Sequence, residues 1–200
     1  MSEEQKPVGL RARRRALTER EIEDAAIDAF ETQGFAGTTM EHIAVRAGVS
    51  VRTAFRYFPT KVDTVLFSAR QVSQVLGDGL RADLAAGASL FDIEESITAS
   101  LTTFTASSLD VTARLKRAHA LVLNDEQLRT QVMRSDDYLA GLDDHDTEAV
   151  PRTLEARLLI AIVTATLRTA FDDWARSVGE DTSLVSHYRR ARAARDSLMP

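Results

Sequence analysis

The sequence predicts an all-α protein of about nine helices, with a small N-terminal helical domain followed by a larger C-terminal one. Apolar residues recur at the three- and four-residue spacing of amphipathic helices, and no segment shows the alternation of a strand. The 200 residues include only four prolines and nine glycines, few for an all-β fold. Hydrophobic residues make up 44% of the chain, enough to build a folded core.

The first 16 residues lack apolar periodicity, and we expect them to form a flexible basic arm. A helix follows, because its apolar residues share one face: Ile22, Ala25, Ala26, Ala29 and Phe30. Gly34 is placed to end that helix. Thr38 with Glu41 then predicts a capping box for a second helix, which Gly48 ends.

A third helix, 51–58, is predicted after Ser50, which can cap its first turn. Pro59 stops it, and Thr60 with Asp63 starts the fourth helix. Two short helices joined at a glycine turn predict a helix-turn-helix within a DNA-binding domain at 17–62.

The remainder of the chain, 63–200, is predicted to form the larger domain. Its helical segments are 61–84, 90–107, 111–124, 126–139, 151–178 and 182–198. The segment 140–151 reads as an acidic loop. His145 within it could bind a metal ion, but an isolated histidine in a solvated loop is the favoured interpretation, so no metal site is expected.

Composition excludes several functional classes. The chain has no cysteine, which excludes disulfides and thiolate metal sites and fits a reducing compartment. No apolar run is long enough to span a membrane, and the N-terminus lacks a signal-peptide core, so we expect a cytoplasmic protein. Phosphate-binding, dinucleotide-binding and hydrolase motifs are absent from the sequence, so we expect no enzyme and no cofactor.

Charge is distributed unevenly along the chain. Residues 1–61 hold ten basic and nine acidic residues, whereas residues 62–200 hold fifteen and twenty-one. The basic residues of the first part cluster near its two ends: Arg11, Arg13, Arg14, Arg15, Arg52, Arg56 and Lys61. A basic face on an acidic molecule is either an accident of solubility or a surface for a polyanion.

The third helix distinguishes these two interpretations. At 100° per residue, Ala54 and Phe58 share one side, where they can be buried. Arg52, Thr53 and Arg56 occupy the opposite side, with Phe55 and Tyr57 flanking them. Basic and hydroxyl groups thus converge where a DNA duplex would lie, rather than spreading around a solvated helix.

Each of these groups has a matching DNA atom. Arg52 can donate two hydrogen bonds to guanine O6 and N7. Thr53, Tyr57 and Lys61 can contact phosphates. The arginines at 11 to 15, among them Arg13 and Arg14, suit an arm that enters a minor groove or follows the backbone.

Residues 22–67 resemble the N-terminal domain of the TetR family of bacterial transcriptional regulators. The matching motifs are QGF, TTM, IA, AGVS and RYF, with a lysine three places on. The resemblance implies an all-helical homodimer that binds operator DNA and has a C-terminal ligand pocket. It also implies operator contacts at Thr39, Arg46, Ser50, Arg52, Thr53, Phe55, Tyr57 and Lys61. Phe55 departs from the tyrosine common in the family, and Glu41, whose carboxylate would repel phosphate, is assigned to the cap.

The stretch RTAFRYF is also similar to an actinobacterial subgroup that includes regulators beside mycofactocin genes. That similarity implies a small-molecule effector that is hydrophobic or acyl-like. Candidate pocket residues are Phe104, His119, Met133, Tyr138 and Arg168. Each has an alternative role: the first four can be ordinary core residues, and Arg168 can form a salt bridge with Asp172.

The two C-terminal helices are expected to form a four-helix bundle with their symmetry copies. The residues predicted to line this interface are Leu159, Ile162, Phe171, Trp174 and Tyr188. The alternative is that these helices only complete the core of the monomer.

These observations predict a ligand-responsive regulator, of the repressor type, that binds palindromic DNA as a homodimer. Two alternatives stay open at this point: a helical small-molecule-binding or interaction protein without DNA binding, and a small helical enzyme. No membrane partner is expected.

Overall fold

A computed structural model describes residues 9–107, 109–134, 153–178 and 183–198. All regular secondary structure in these ranges is helical, which confirms the predicted all-α fold. The nine described helices are α1 (Leu10–Gly37), α2 (Met40–Arg46), α3 (Val51–Tyr57), α4 (Lys61–Ala85), α5 (Leu90–Ser107), α6 (Leu109–Asn124), α7 (Glu126–Arg134), α8 (Leu154–Arg176) and α9 (Leu184–Leu198). None of them is long and apolar enough to cross a membrane.

The chain divides into two compact units, and the boundary between Val65 and Leu66 falls inside α4. In unit 1, α2 packs against both α1 and α3. The core of this unit is made by residues from all three helices and the start of α4: Ile22, Ala26, Ile27, Phe30, Phe35, Ile43, Ala44, Ala54, Phe58 and Val65.

Helix α1 begins earlier than the sequence predicts. Residues 10–16, expected as part of a flexible arm, are helical. Arginine, alanine and leucine are strong helix formers, and Arg15 pairs with Glu19 one turn later at 2.8 Å. Periodicity missed these first turns because their residues are mostly exposed, so no apolar stripe marks them. The predicted break at Gly34 is present, since that residue has φ 73° and leaves the helical conformation.

The cap of α2 is Thr39 rather than the predicted Thr38. The Thr39 hydroxyl accepts a hydrogen bond from the His42 backbone N–H at 3.3 Å. Thr38 is buried, and its hydroxyl donates to the Gly34 carbonyl at 2.9 Å. Glu41 does belong to the cap, because hydrogen bonds from its own backbone and from the Thr39 side chain lower its pKa.

Helices α3 and α4 start where the sequence predicts. The Ser50 hydroxyl accepts from the Thr53 backbone N–H at 3.1 Å. At α4, the Asp63 carboxylate accepts from the Thr60 backbone N–H at 2.8 Å, and the Asp63 N–H donates back to the Thr60 hydroxyl at 3.3 Å. This reciprocal pair is a capping box. Gly48 lies between α2 and α3 with φ 66°, a conformation that glycine adopts without strain.

Unit 2 contains the rest of α4 and helices α5–α9. Helix α8 packs against α6 and α9, while α5 packs against α6 and α9. The largest side chains of the core include Leu101, Leu115, Leu167, Trp174, Leu184 and Tyr188. Part of the predicted helices 126–139 and 151–178, and the whole predicted loop 140–151, lies outside the described residues.

A buried ion cluster joins α5 to α9. The Glu94 side chain is 3% exposed, and one of its oxygens lies 3.0 Å from Arg192 Nε and 3.2 Å from Arg195 Nη2. Arg195 Nη1 contacts the other carboxylate oxygen. Burial, with the nearby Glu94 charge, raises the pKa of Tyr188. The two guanidinium groups thus pair with a carboxylate that has little contact with solvent.

Glu94→Gln should lower the free energy of unfolding by about 3 kcal/mol, because two guanidinium charges would lose their buried partner. Glu95→Gln is the matched control. Its carboxylate also bonds Arg192, at 2.8 Å, but its side chain is 55% exposed, so the loss should stay below about 1 kcal/mol. Urea denaturation measures both values, and equal losses would contradict the role of burial.

Candidate nucleic-acid interface

Helix α3 separates its apolar side from its polar side as the sequence predicts. Ala54 and Phe58 are 0% and 3% exposed and face the core of unit 1. Arg52 and Arg56 are exposed, and Thr53 is half-buried. The helix therefore presents a basic and hydroxyl-bearing surface to solvent.

The flanking aromatic residues of α3 behave differently from each other. Phe55 is an exposed apolar side chain, at 45%. Tyr57 is half-buried, and the guanidinium carbons of Arg56 and Arg15 lie 5.1 and 5.8 Å from its ring centre. Aromatic rings attract cations at these distances. Tyr57 thus holds two arginines near the same end of α3.

The start of α3 is fixed by two hydroxyl groups. Besides capping the helix, the Ser50 hydroxyl shares a 2.8 Å hydrogen bond with the Thr53 hydroxyl. Ser50 and Thr53, both predicted contact residues, are therefore hydrogen-bonded to each other. Arg52, between them, makes no hydrogen bond or ion pair within the described residues and is free to reach outward.

The predicted contact residues of α2 lie at its two ends. Thr39 is exposed at the N-terminus, where it caps the helix. Arg46 is in the last turn, and its Nε lies 3.7 Å from an Asp28 carboxylate oxygen, a loose pair between side chains that are each more than 40% exposed. Such an exposed pair contributes little to stability and can yield to a phosphate.

Lys61 differs from the other predicted contacts, because protein atoms already bind its ammonium group. Nζ donates to the Phe35 carbonyl at 2.6 Å and to the Thr38 carbonyl at 2.9 Å. It also lies 4.0 Å from the centre of the Phe35 ring. Since an ammonium group has three donors, at most one is left for a phosphate. This geometry favours a structural role, closing the turn between α1 and α2.

The arginines near the N-terminus are displayed on a helix. Arg11, Arg13 and Arg14 are exposed on the first turns of α1. Arg15, which the sequence placed with the other arginines of residues 11–15 on a DNA-contacting arm, reaches Tyr57 of α3. The four-residue spacing of Arg15 and Glu19 is the sequence signal that could have predicted a helix in this region.

The predicted pocket residues of unit 2 do not come together. Met133 is 69% exposed and Arg168 is exposed, so neither lines an interior site. Each lies on the solvent side of an amphipathic helix, which its residue type alone did not reveal. Phe104 is half-buried against the core. Tyr138 lies outside the described residues.

His119 is buried in α6, facing inward as its spacing predicts. Its Nε2 lies 2.7 Å from an Asp172 carboxylate oxygen of α8, and its ring is 5.9 Å from that of Phe171. The hydrogen bond from His119 lowers the pKa of Asp172. His119 therefore joins α6 to α8, the satisfied core role that was its alternative. Within the described ranges, no group of three or more histidine, aspartate or glutamate residues could hold a metal ion.

The predicted interface residues of α8 and α9 are largely interior. Trp174 and Tyr188 are 1% and 0% exposed, so both belong to the core of unit 2 and the prediction that they face a partner was wrong. Leu159 and Phe171 are half-buried against that core. The error arose because α8 carries apolar residues on both sides, and periodicity does not show which side is covered by the same chain.

A different face of α8 is apolar and exposed. Leu154 and Leu158 stand out to solvent, with Ala161, Ile162 and Ala165 on the same side. Between this face and α9 runs an open groove of about 360 Å³, lined by Leu158, Ala161, Ile162, Ala165, Thr166, Thr169, Ala191 and Arg195. Of the predicted interface residues, Ile162 is the one that lines it.

Comparison with known proteins identifies the segment that carries α2 and α3. A family model described as bacterial regulatory proteins of the tetR family matches residues 22–66. The HTH-type transcriptional regulator RutR of Escherichia coli strain K12 is 36% identical over 92 residues, which cover 46% of this chain and 43% of RutR. The mycofactocin-associated regulator MftR of Mycobacterium tuberculosis H37Rv is 43% identical over 49 residues, 24% of this chain and 25% of MftR. The chain thus matches less than half the length of these curated relatives.

A solved structure extends the likeness in fold. A TetR-family regulator from Mesorhizobium loti aligns with 93% of this chain and 96% of its own length, with a TM-score of 0.51 and 22% identity. The likeness in fold therefore extends beyond the segment matched in sequence to the C-terminal helices.

Lys61→Met should lower the free energy of unfolding by about 2 kcal/mol, because the Phe35 and Thr38 carbonyls would lose a charged donor. Arg52→Met is the matched control. It removes a positive charge from the same unit at an exposed position, and its effect should stay within about 0.5 kcal/mol. Thermal and urea unfolding provide the values. A Lys61→Met protein as stable as the control would show that the two hydrogen bonds are dispensable.

Proposed function

Because the chain belongs to the TetR family of transcriptional regulators, we propose that it is a repressor that binds palindromic operator DNA as a homodimer and is released by a small-molecule effector. DNA binding and transcriptional regulation follow from membership of the family. The observation that carries the finer proposal is the exposed basic and hydroxyl face of α3, held on a helix-turn-helix by two capped helix starts.

We assign recognition of the DNA base sequence to Arg52. It lies in the first turn of α3, its side chain is exposed, and a guanidinium can donate two parallel hydrogen bonds to one guanine. The recognition helix of a helix-turn-helix contacts bases mainly through its N-terminal residues, which is where Arg52 lies. Exposed Phe55 can contact a thymine methyl group. Thr53 and Arg56 then position α3 on the phosphates.

The proposal requires two copies of the chain. Helix α3 has seven residues, about 10 Å of helix, and so reaches only a few base pairs. Dimers overcome this limit by placing two reading helices in successive major grooves. The exposed stripe of Leu154, Leu158, Ala161, Ile162 and Ala165 supports an isologous contact, because small residues let helices approach closely while leucines bury apolar area.

The effector is assigned to unit 2, whose helices lie largely beyond the segment matched by the family model. Of the residues predicted to line its site, Phe104 and His119 are those with inward or half-buried side chains. A hydrophobic or acyl-like molecule is the class we propose. Release requires the effector to bind the DNA-incompetent state more tightly, by about 5 kcal/mol for a nearly complete shift.

DNA reading by Arg52 can be tested on duplexes that the protein itself selects from a random-sequence pool. Arg52→Ala should weaken binding to the selected duplex by about 1–3 kcal/mol and relax preference at one base pair. Arg52→Lys keeps the positive charge, so its salt dependence should match the parent while its base preference is lost. Titration by fluorescence anisotropy measures both, and intact preference in Arg52→Ala would exclude base reading by this residue.

Dimer formation through the α8 stripe can be tested with Leu158→Glu. A charge on each side of the symmetric contact should yield folded monomers in sedimentation experiments, with affinity for the selected duplex falling to the non-specific level. Leu109→Glu is the control, since Leu109 is equally apolar, exposed on α6 and outside the stripe. Dimers that persist in Leu158→Glu would place the interface elsewhere.

A further inference from the structure

Two helices of unit 1 contribute arginines to one aromatic ring. Tyr57, in the last turn of α3, has Arg56 beside it in sequence and Arg15 of α1 beside it in space. Both guanidinium carbons lie less than 6 Å from the ring centre, at 5.1 and 5.8 Å. The first turns of α1 are thereby held against the end of the helix that carries Arg52.

Glu19 fixes the orientation of the Arg15 side chain. Its carboxylate accepts from Arg15 Nε at 2.8 Å, and the Glu19 side chain is 14% exposed whereas that of Arg15 is 68% exposed. This hydrogen bond uses only the Nε donor of the guanidinium group. Neither Nη group has a hydrogen bond within the described residues, and the exposed side chain leaves these donors available to an anion.

This arrangement concentrates positive charge at one place. Two guanidinium groups close to the same ring repel each other, while the negative face of the ring and the Glu19 carboxylate oppose that repulsion. An anion bound by both would offset it further. The planar donor edge of arginine suits phosphate oxygens, which occur at regular spacing along a DNA backbone.

We propose that Arg15 is a fixed contact to the DNA phosphate backbone, positioned by Glu19 and by the ring of Tyr57. The inference rests on the proposed function and adds a partner residue to the reading helix. It also assigns Tyr57 a positioning role through its ring, in place of phosphate donation by its hydroxyl group. Helical residues 10–16 then act as a rigid extension of the interface rather than as a flexible arm.

The salt dependence of DNA binding separates these roles, because each neutralised phosphate contributes about 0.9 to the slope of log K against log salt. The probe is a fluorescein-labelled mixed-sequence duplex of about 30 base pairs, roughly three helical turns. We expect Arg15→Ala to lower the slope by about 0.9. Tyr57→Phe should leave the slope unchanged, since the ring remains.

Tyr57→Leu is the decisive variant. It removes no charge, yet it should lower the slope almost as much as Arg15→Ala, and the double variant should lower it no further. Arg20→Ala, which removes an exposed arginine from another face of α1, should not change the slope. Circular dichroism verifies the fold of each variant. Arg15 is exposed and alanine favours helices, so we expect Arg15→Ala to stay folded. If Tyr57→Leu unfolds, Arg15→Ala still tests the phosphate contact, and Tyr57→Phe still tests the role of the hydroxyl group.

Three results would overturn the inference. An unchanged slope in a folded Tyr57→Leu protein would mean that the ring does not position Arg15. An unchanged slope in Arg15→Ala would mean that Arg15 does not contact the backbone. A lowered slope in Tyr57→Phe would assign the contact to the hydroxyl group instead. Failure of the parent protein to bind any duplex would refute the proposed function itself, so the two failures are distinguishable.

Discussion

The burial of one side of α3 is the constraint on which the candidate interface depends. Ala54 and Phe58 fix the rotation of the helix about its axis, so Arg52, Thr53 and Arg56 must face outward. The hydroxyl group of Ser50 fixes where the helix begins, and Lys61 closes the backbone turn between the two preceding helices. A seven-residue helix has little stability of its own, and these contacts hold it in place.

Electrostatics then extends this surface beyond α3. Arg15 is brought to α3 by the ring of Tyr57 and the carboxylate of Glu19, neither of which is itself basic. The net charge of −5 for the whole chain conceals this local concentration of arginines. A small basic surface on an acidic protein favours one orientation of approach to DNA, because the remaining surface is repelled by phosphates.

The sequence predicted the unit 1 elements well because their signals are local. Gly34, Ser50 and the Thr60–Asp63 pair act through neighbouring backbone atoms, and Ala54 with Phe58 mark the only apolar side of α3. The prediction of which face of α8 meets a partner was wrong because that choice depends on contacts between residues distant in sequence. Trp174 and Leu158 lie on different sides of a helix that is apolar on both, and only packing decides which side is interior. The contact of Arg15 with Tyr57 was equally hidden, since it joins residues 42 positions apart.

The most direct test of α3 as a reading helix is to select duplexes from a random pool with the full chain and to map the protected bases by footprinting. A pair of such helices on a twofold dimer should protect two inverted half-sites in successive major grooves, about 34–36 Å apart between their centres. Selection that enriches no sequence, or protection of a single half-site by the dimer, would contradict reading by α3.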